Sequence, residues 1–315
     1  MKKILLSAVA LVMLFSCQNE TTEAAPEANA IAKRGCASQD VLEAQLKADP
    51  TLALRMNEIE AFTQKAMLTN RLINGKIVIP VVVNVLYNTA AENISLTQIQ
   101  SQIDVLNKDF TATNSDFSTT PAEFAGVAAN VDITFVLEQV IRKSTTKTSW
   151  GTRDAMKQTK RGGIDPTSPS NTLNMWACTI GGGILGYAQF PGGSLATDGV
   201  VVDSKYFGLS SAASYPYNLG RTMTHEVGHW MNLRHIWGDA TCGSDLVSDT
   251  PTHNTANYGV PAYPHYSTCT GTPVEMSMNY MDYTDDRGMY MFSNGQKSRM
   301  SAIFVSGGAR ASFGI

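Results

Sequence analysis

Residues 225–235, reading His-Glu-Val-Gly-His-Trp-Met-Asn-Leu-Arg-His, constrain this chain more than any other stretch, because they fix three imidazoles and a carboxylate at set offsets. His225 and His229 are four residues apart, so on a helix they share one face, one turn apart, and both can ligate a single ion. Glu226 then stands beside that ion without occupying it. Six further residues at about 100° each would turn His235 roughly 120° away from that face if the helix continued. The helix therefore has to break, and Asn232 stands where the break is needed. Asparagine is the non-glycine residue that best tolerates the left-handed backbone that ends helices. Zinc with three protein ligands keeps a position open for water, whose proton a neighbouring carboxylate can take. The segment predicts a zinc hydrolase with His225, His229 and His235 as ligands and Glu226 as general base.

A second segment, residues 277–286, reads Ser-Met-Asn-Tyr-Met-Asp-Tyr-Thr-Asp-Asp. An extended histidine motif followed some tens of residues later by such a methionine turn resembles the metzincin clan. Trp230, the Gly238-Asp239 step, Asp249-Thr250-Pro251 and residues 279–283 together resemble the pappalysin family, from about Ile77 to the C-terminus. The chain departs from that family at Asn232, where glycine is usual. The resemblance implies an α/β (α+β) fold: a metzincin-type zincin catalytic domain with a twisted mixed sheet, an active-site helix and a methionine turn, preceded by a short helical prosegment. It implies that Met281 floors the metal and that Tyr283 steadies the tetrahedral intermediate. It further implies a Cys242–Cys269 disulfide, and a place for Asp286 in the pocket for the residue after the cut bond, favouring Arg or Lys there. The activity implied is that of a zinc-dependent endopeptidase made as a zymogen. A competing class is a catalytically silent, zinc-stabilised surface binding protein, but such a scaffold needs the histidines only and gives Glu226 no task.

Lys2 and Lys3 precede an apolar run too short to span a bilayer, which reads as a signal peptide over residues 1–16. It ends at Leu14-Phe15-Ser16-Cys17, which resembles a lipoprotein box with Cys17 as the acylated residue; an ordinary signal peptide is the other reading. Residues 17–35 are Glu-, Thr- and Ala-rich and predict a flexible tether. A prosegment is expected over 36–70, with Val41, Leu42, Leu46, Leu52, Leu54, Ile59 and Phe62 at helix-like intervals, and the catalytic domain over 71–315. Cleavage before Arg71 would release that domain from its prosegment and from the membrane. The protein is expected outside the cytoplasm, as an outer-membrane or cell-surface lipoprotein or secreted after processing, and as a monomer.

Within the catalytic part, residues 76–87 form a nearly continuous apolar, β-branched run, as a buried strand requires. Ser95 and Gln98 read as a capping box opening a helix striped by Ile99, Ile103, Leu106 and Phe110. Further strands are predicted over 131–141, 173–179, 184–190 and 199–203. By resemblance the 184–190 strand is the sheet edge on which an extended peptide lies. The net charge of −3 lacks the clustered Lys and Arg that nucleic-acid binding needs; protein or peptide substrates are what the resemblance implies.

Two features keep alternatives open. An upstream thiolate at Cys36 would fill the zinc's open position and hold the precursor silent, a cysteine switch; otherwise Cys36 is a tether cysteine, free or paired with Cys178, itself read as a buried thiol. The Asp245 and Asp249 carboxylates and the Thr250 carbonyl sit in an acidic loop over residues 243–251, whose hard oxygens suit Ca²⁺. A solvated acidic loop is the competing reading.

Overall fold

The apolar run after Lys76 becomes β1 (Ile77–Tyr87), and every residue from Val81 to Leu86 in it is buried, because sheet continues on both of its sides. The computed structural model describes residues 33–69, 76–209 and 213–313. The signal peptide, Cys17, most of the tether and the cleavage point before Arg71 lie outside the described residues.

Five strands form one sheet in the order β2-β1-β3-β5-β4, with β2 at Ile133–Ser144, β3 at Leu173–Cys178, β4 at Gly186–Ala188 and β5 at Val200–Asp203. All neighbours are parallel except the edge strand β4, which runs antiparallel to β5. The sheet is therefore mixed. Only three residues of the predicted 184–190 strand enter it, since Pro191, Gly192 and Gly193 turn the chain away.

Parallel strands must be covered on both faces. One face packs Ile79, Val81, Val83 and Val85 against Ile99, Ile103, Leu106 and Phe110 of α3 (Leu96–Phe110), and Met175, Ala177 and Val202 against Met223 and Val227 farther along the chain. The other face buries Leu86, Trp176, Cys178, Tyr187 and Val201 under the irregular segment carrying Trp150, Met156 and Ile164. Ser95 Oγ caps α3 by accepting from Gln98 N at 3.1 Å. The reciprocal half of the expected box is missing, because the Gln98 amide donates instead to the Phe207 carbonyl at 2.8 Å. A complete capping box, Ser293 with Gln296, opens α6 (Asn294–Ala302), after the short α4 (Ala122–Ala125) and the active-site helix α5 (Arg221–Trp230).

The N-terminal part departs from expectation in two ways. Its single helical run is split into α1 (Ser38–Ala48) and α2 (Leu52–Leu68), because Pro50 keeps Asp49 extended at φ −131°, ψ 93°. Arg34, assigned to a solvated tether, is only 3 % exposed: the chain is docked against the catalytic part from Lys33 onward. Among the described residues, no helix is long and apolar enough to cross a membrane.

Candidate active site

Every residue of α5 is buried, so its ends must be satisfied internally. At its start an Asp286 carboxylate oxygen accepts from the backbone of Leu219 (2.8 Å) and Arg221 (3.3 Å), a negative charge at the positive end of the helix. The Arg221 guanidinium is tied to Asp116 (2.5 Å) and Asp109 (3.4 Å). At its end Asn232 takes φ 73°, as the spacing required. Leu233 N then reaches back to Gly228 O and Asn232 N to His229 O, both at 2.9 Å, the paired bonds of a Schellman turn. This turn brings His235 round to the other two histidines.

The three rings meet edge to edge. His229 Nε2 lies 3.1 Å from both His225 Nε2 and His235 Nε2. Their outer nitrogens face acceptors: His225 Nδ1 the Tyr280 carbonyl (2.7 Å), His229 Nδ1 the Leu233 carbonyl (2.9 Å) and His235 Nδ1 the Asp239 carboxylate (2.5 Å). Carbonyls and carboxylates only accept, so Nδ1 carries the proton on each ring and three Nε2 lone pairs point at one another. Such a cluster repels itself unless a cation sits between. Burial, together with the neighbouring rings, holds His225 well below the usual imidazole range and His229 down to about 3, which keeps both neutral and ready to ligate. Neutral imidazoles with an acceptor on each outer nitrogen are the donor set zinc takes, and the residues present fit it.

Met281 Sδ crowds the place where a Cβ on Gly228 would stand, so the histidine motif needs glycine at that position. Ile236 N donates to the Met281 carbonyl at 3.1 Å, locking the turn to the third-ligand segment. Trp237 stacks on His235 (4.3 Å, 9°), and Tyr283 packs edge-on against both.

Glu226 is 1 % exposed, and one of its oxygens accepts from Ser38 Oγ (2.9 Å) and Cys36 Sγ (3.4 Å). Burial pushes its carboxyl up to about 7, against the pull of Ser38, Cys36 and Arg34. Cys36 Sγ and the three histidines each offer a ligand atom, all within 4.8 Å of one another. Tyr283 donates to the Cys36 carbonyl at 3.2 Å, and burial, followed by the charges of Cys36 and Glu226, raises its hydroxyl so that it stays protonated. Cys36 and Cys178 are both free, so the pairing left open between them is not made. Cys242 and Cys269 are bonded.

The residues around Cys36 fill the edge of the sheet. Leu185 N donates to Gly35 O (2.8 Å), Ala37 N to Gly186 O (3.1 Å) and Ala188 N to Ser38 Oγ (2.8 Å), with Cys36 bridged to Gly186 in parallel. Two residues earlier, Arg34 enters a closed pocket. Its Nη2 meets Asp286 Oδ1 at 2.5 Å, Nη1 donates to Thr222 Oγ1 (3.3 Å) and Nε to the Thr284 carbonyl (3.2 Å), while the guanidinium lies 4.8 Å from the Tyr217 ring centre. Asp286 is thus fully buried and occupied. Arg34, Ser38, Tyr217 and Thr222 were not singled out from sequence, and Asp239 entered only within the Gly238-Asp239 step, with no role of its own. A lone Arg two residues before a Cys carries no periodic signal, and the others act only through folding.

The acidic loop divides. The Asp249 oxygens accept from Ser293 Oγ (2.7 Å) and Gly295 N (2.8 Å) at the start of α6. Thr250 contributes its hydroxyl, which lies 3.0 and 2.9 Å from the two Asp245 oxygens and 3.0 Å from the Val247 carbonyl.

The comparisons with known proteins agree with this geometry. A family model described as Peptidase_M43, pregnancy-associated plasma protein-A, matches residues 178–305. An extracellular metalloprotease of Pyricularia oryzae is 32 % identical over 311 residues, covering 95 % of this chain and 92 % of its own. Extracellular metalloprotease 1 of Coccidioides posadasii is 33 % identical over 220 residues, covering 67 % of this chain and 70 % of its own. Among solved structures, a promirolysin mutant from Tannerella forsythia superposes with a TM-score of 0.82 at 39 % identity, covering 89 % of this chain and 97 % of its own. Mature mirolysin in complex with a cleaved peptide gives 0.75 at 42 % identity, covering 77 % and 97 %. The greater coverage by the pro-form agrees with reading the docked N-terminal part as that of a zymogen. With the three-histidine cluster and the methionine beneath it, these similarities show that the chain belongs to the pappalysin family of metzincin zinc metallopeptidases.

Proposed function

We propose that the chain is exported as a silent precursor and, once its prosegment is cut away, hydrolyses proteins and peptides on the amino side of arginine or lysine. The observation that carries this is Arg34 buried on Asp286 while Cys36, two residues on, stands among the histidines. The chain's own arginine sits there as a substrate's would, in a pocket whose planar partners suit a guanidinium better than an ammonium.

Bound zinc supplies the positive charge that polarises a scissile carbonyl and acidifies water. Glu226, beside the histidine cluster and not part of it, takes the proton from that water and returns it to the leaving amine. The Tyr283 hydroxyl, kept protonated, donates to the developing oxyanion, as it now donates to the Cys36 carbonyl. In the precursor Cys36, whose thiol now donates to Glu226, would offer its sulfur to a bound zinc, Ser38 engages Glu226, and residues 35–38 fill the edge of β4 that a substrate would pair with.

Export and lipid attachment at Cys17 rest on the N-terminal sequence, and the extracellular relatives agree with export. Cleavage before Arg71 would obey the same basic preference that Asp286 sets. A calcium ion in this acidic loop is supported by three hard oxygens, the two of Asp245 and the Val247 carbonyl, gathered about the Thr250 hydroxyl.

The test is zinc content and cleavage of an Arg-containing quenched peptide by the activated full chain, beside Glu226→Ala. About one zinc in each protein, with turnover reduced about 10²- to 10⁴-fold or more in the variant, is expected. Equal cleavage by both would remove Glu226 from its role.

A further inference from the structure

Lys33 holds its ammonium 5.0 Å from the centre of the Tyr258 ring, one residue before the arginine that fills the Asp286 pocket. The docked chain therefore passes, from Cys36 back to Lys33, over the metal cluster, the Asp286 pocket and the Tyr258 ring in turn. A substrate whose first residue after the cut bond enters the Asp286 pocket would bring its next residue to Tyr258.

The chain on either side of Tyr258 is tied down. The Asn257 backbone N–H and side-chain amide bond the two Asp282 oxygens at 2.8 and 2.9 Å, and the Gly259 carbonyl accepts from Asp285 N at 2.8 Å. The edge of the Tyr258 ring meets Tyr283 at 5.9 Å between centres, so the platform is continuous with the reaction centre. Tyr258 nevertheless remains 43 % exposed with Lys33 in place, leaving ring surface that an incoming side chain can cover.

We propose that Tyr258 is a specificity-determining residue, whose ring forms a cation–π platform favouring Lys or Arg at the second position after the scissile bond. The proposal rests on the Asp286 pocket for the first position. A cation over an exposed aromatic face gains enough for a preference of about two- to fivefold.

The experiment compares kcat/KM for peptides with Arg first after the cut bond and either Lys or norleucine second, norleucine keeping the stem without the charge. The enzyme is the full chain activated by limited proteolysis, as parent, Tyr258→Leu and Tyr258→Phe. The expected lysine-to-norleucine ratio is about two to five in the parent and the Phe variant, and near one in the Leu variant. Because the ratio cancels the amount of active enzyme, partial misfolding cannot imitate the result. A parent ratio of one, or a Leu variant that keeps the parent's ratio, overturns the proposal. A parallel series with Arg or norleucine first, on parent and Asp286→Asn, reports the first-position pocket separately. A flat outcome there overturns that pocket, while the second-position ratio is still read on its own.

Discussion

Arg34 and Asp286 stand 252 positions apart in sequence and 2.5 Å apart in space, with both side chains closed off from solvent. Ion pairs so deeply buried gain little over an apolar contact, but removing one partner strands the other's charge at a cost of about 3–5 kcal/mol. In the precursor, that asymmetry falls on the docking of the prosegment.

Arg34→Ala should therefore release the prosegment more readily, raising the fraction of open precursor by about a hundredfold or more, with Arg34→Lys between variant and parent. The readout is the initial rate of peptide cleavage by precursor, before any processing appears on a gel. A variant as silent as the parent would mean that the metal-side contacts of Cys36 and Ser38 maintain latency unaided.

His235 differs from the other ligands in facing a carboxylate, Asp239, where they face carbonyls. A charged acceptor on the outer nitrogen raises the basicity of the inner one and fixes its tautomer. Asp239→Asn is expected to weaken zinc binding about 10- to 100-fold, measured by chelator competition on the full chain. Unchanged zinc affinity would reduce Asp239 to packing.

Gly228 and Met281 test the floor of the site. A methyl group at Gly228 meets Met281 Sδ, so Gly228→Ala should cost about 1–3 kcal/mol by overpacking in urea unfolding. Met281→Ala in the same chain should recover part of that loss, because residues in contact do not act additively. Simple additivity of the two changes would show that the sulfur yields without strain.

The parts legible in the sequence were those with a period or a fixed offset. The four-residue histidine spacing, the break at Asn232, the continuous apolar strand β1 and the stripe of α3 all follow from local geometry, and the fold realises them. Arg34 was misplaced because composition reads residues 17–35 as a tether, and burial of an arginine depends on a partner 252 positions away. The partners of Asp249 were hidden for a similar reason: an acidic loop shows its charges in sequence, but not that Ser293 and Gly295 donate to one of them. The break at Pro50 is a local rule legible in the sequence, and it prevails in the fold although the apolar intervals continue across it.

Asp109 gives the pH dependence. Burial pushes its carboxyl up to about 6, with Arg221 and then Thr224 pulling it down. An unfolded aspartate titrates near 4, so between about pH 4 and 6 the folded chain keeps a proton that the unfolded chain has released. The stability this group contributes is complete below about pH 4 and is lost as the pH rises through about 6, a fall of about 3 kcal/mol at most. Asp109→Asn has no such group, so its unfolding free energy relative to the parent should rise by up to that amount between pH 4 and 7; effects common to both chains cancel in the difference. Parallel curves would mean that Arg221 compensates the charge fully. The cost at neutral pH is tolerated where it orients the active-site helix: Thr224 Oγ1 donates to Asp109 Oδ2 at 2.7 Å one residue before His225, and Arg221 joins the same carboxylate from the helix's first position.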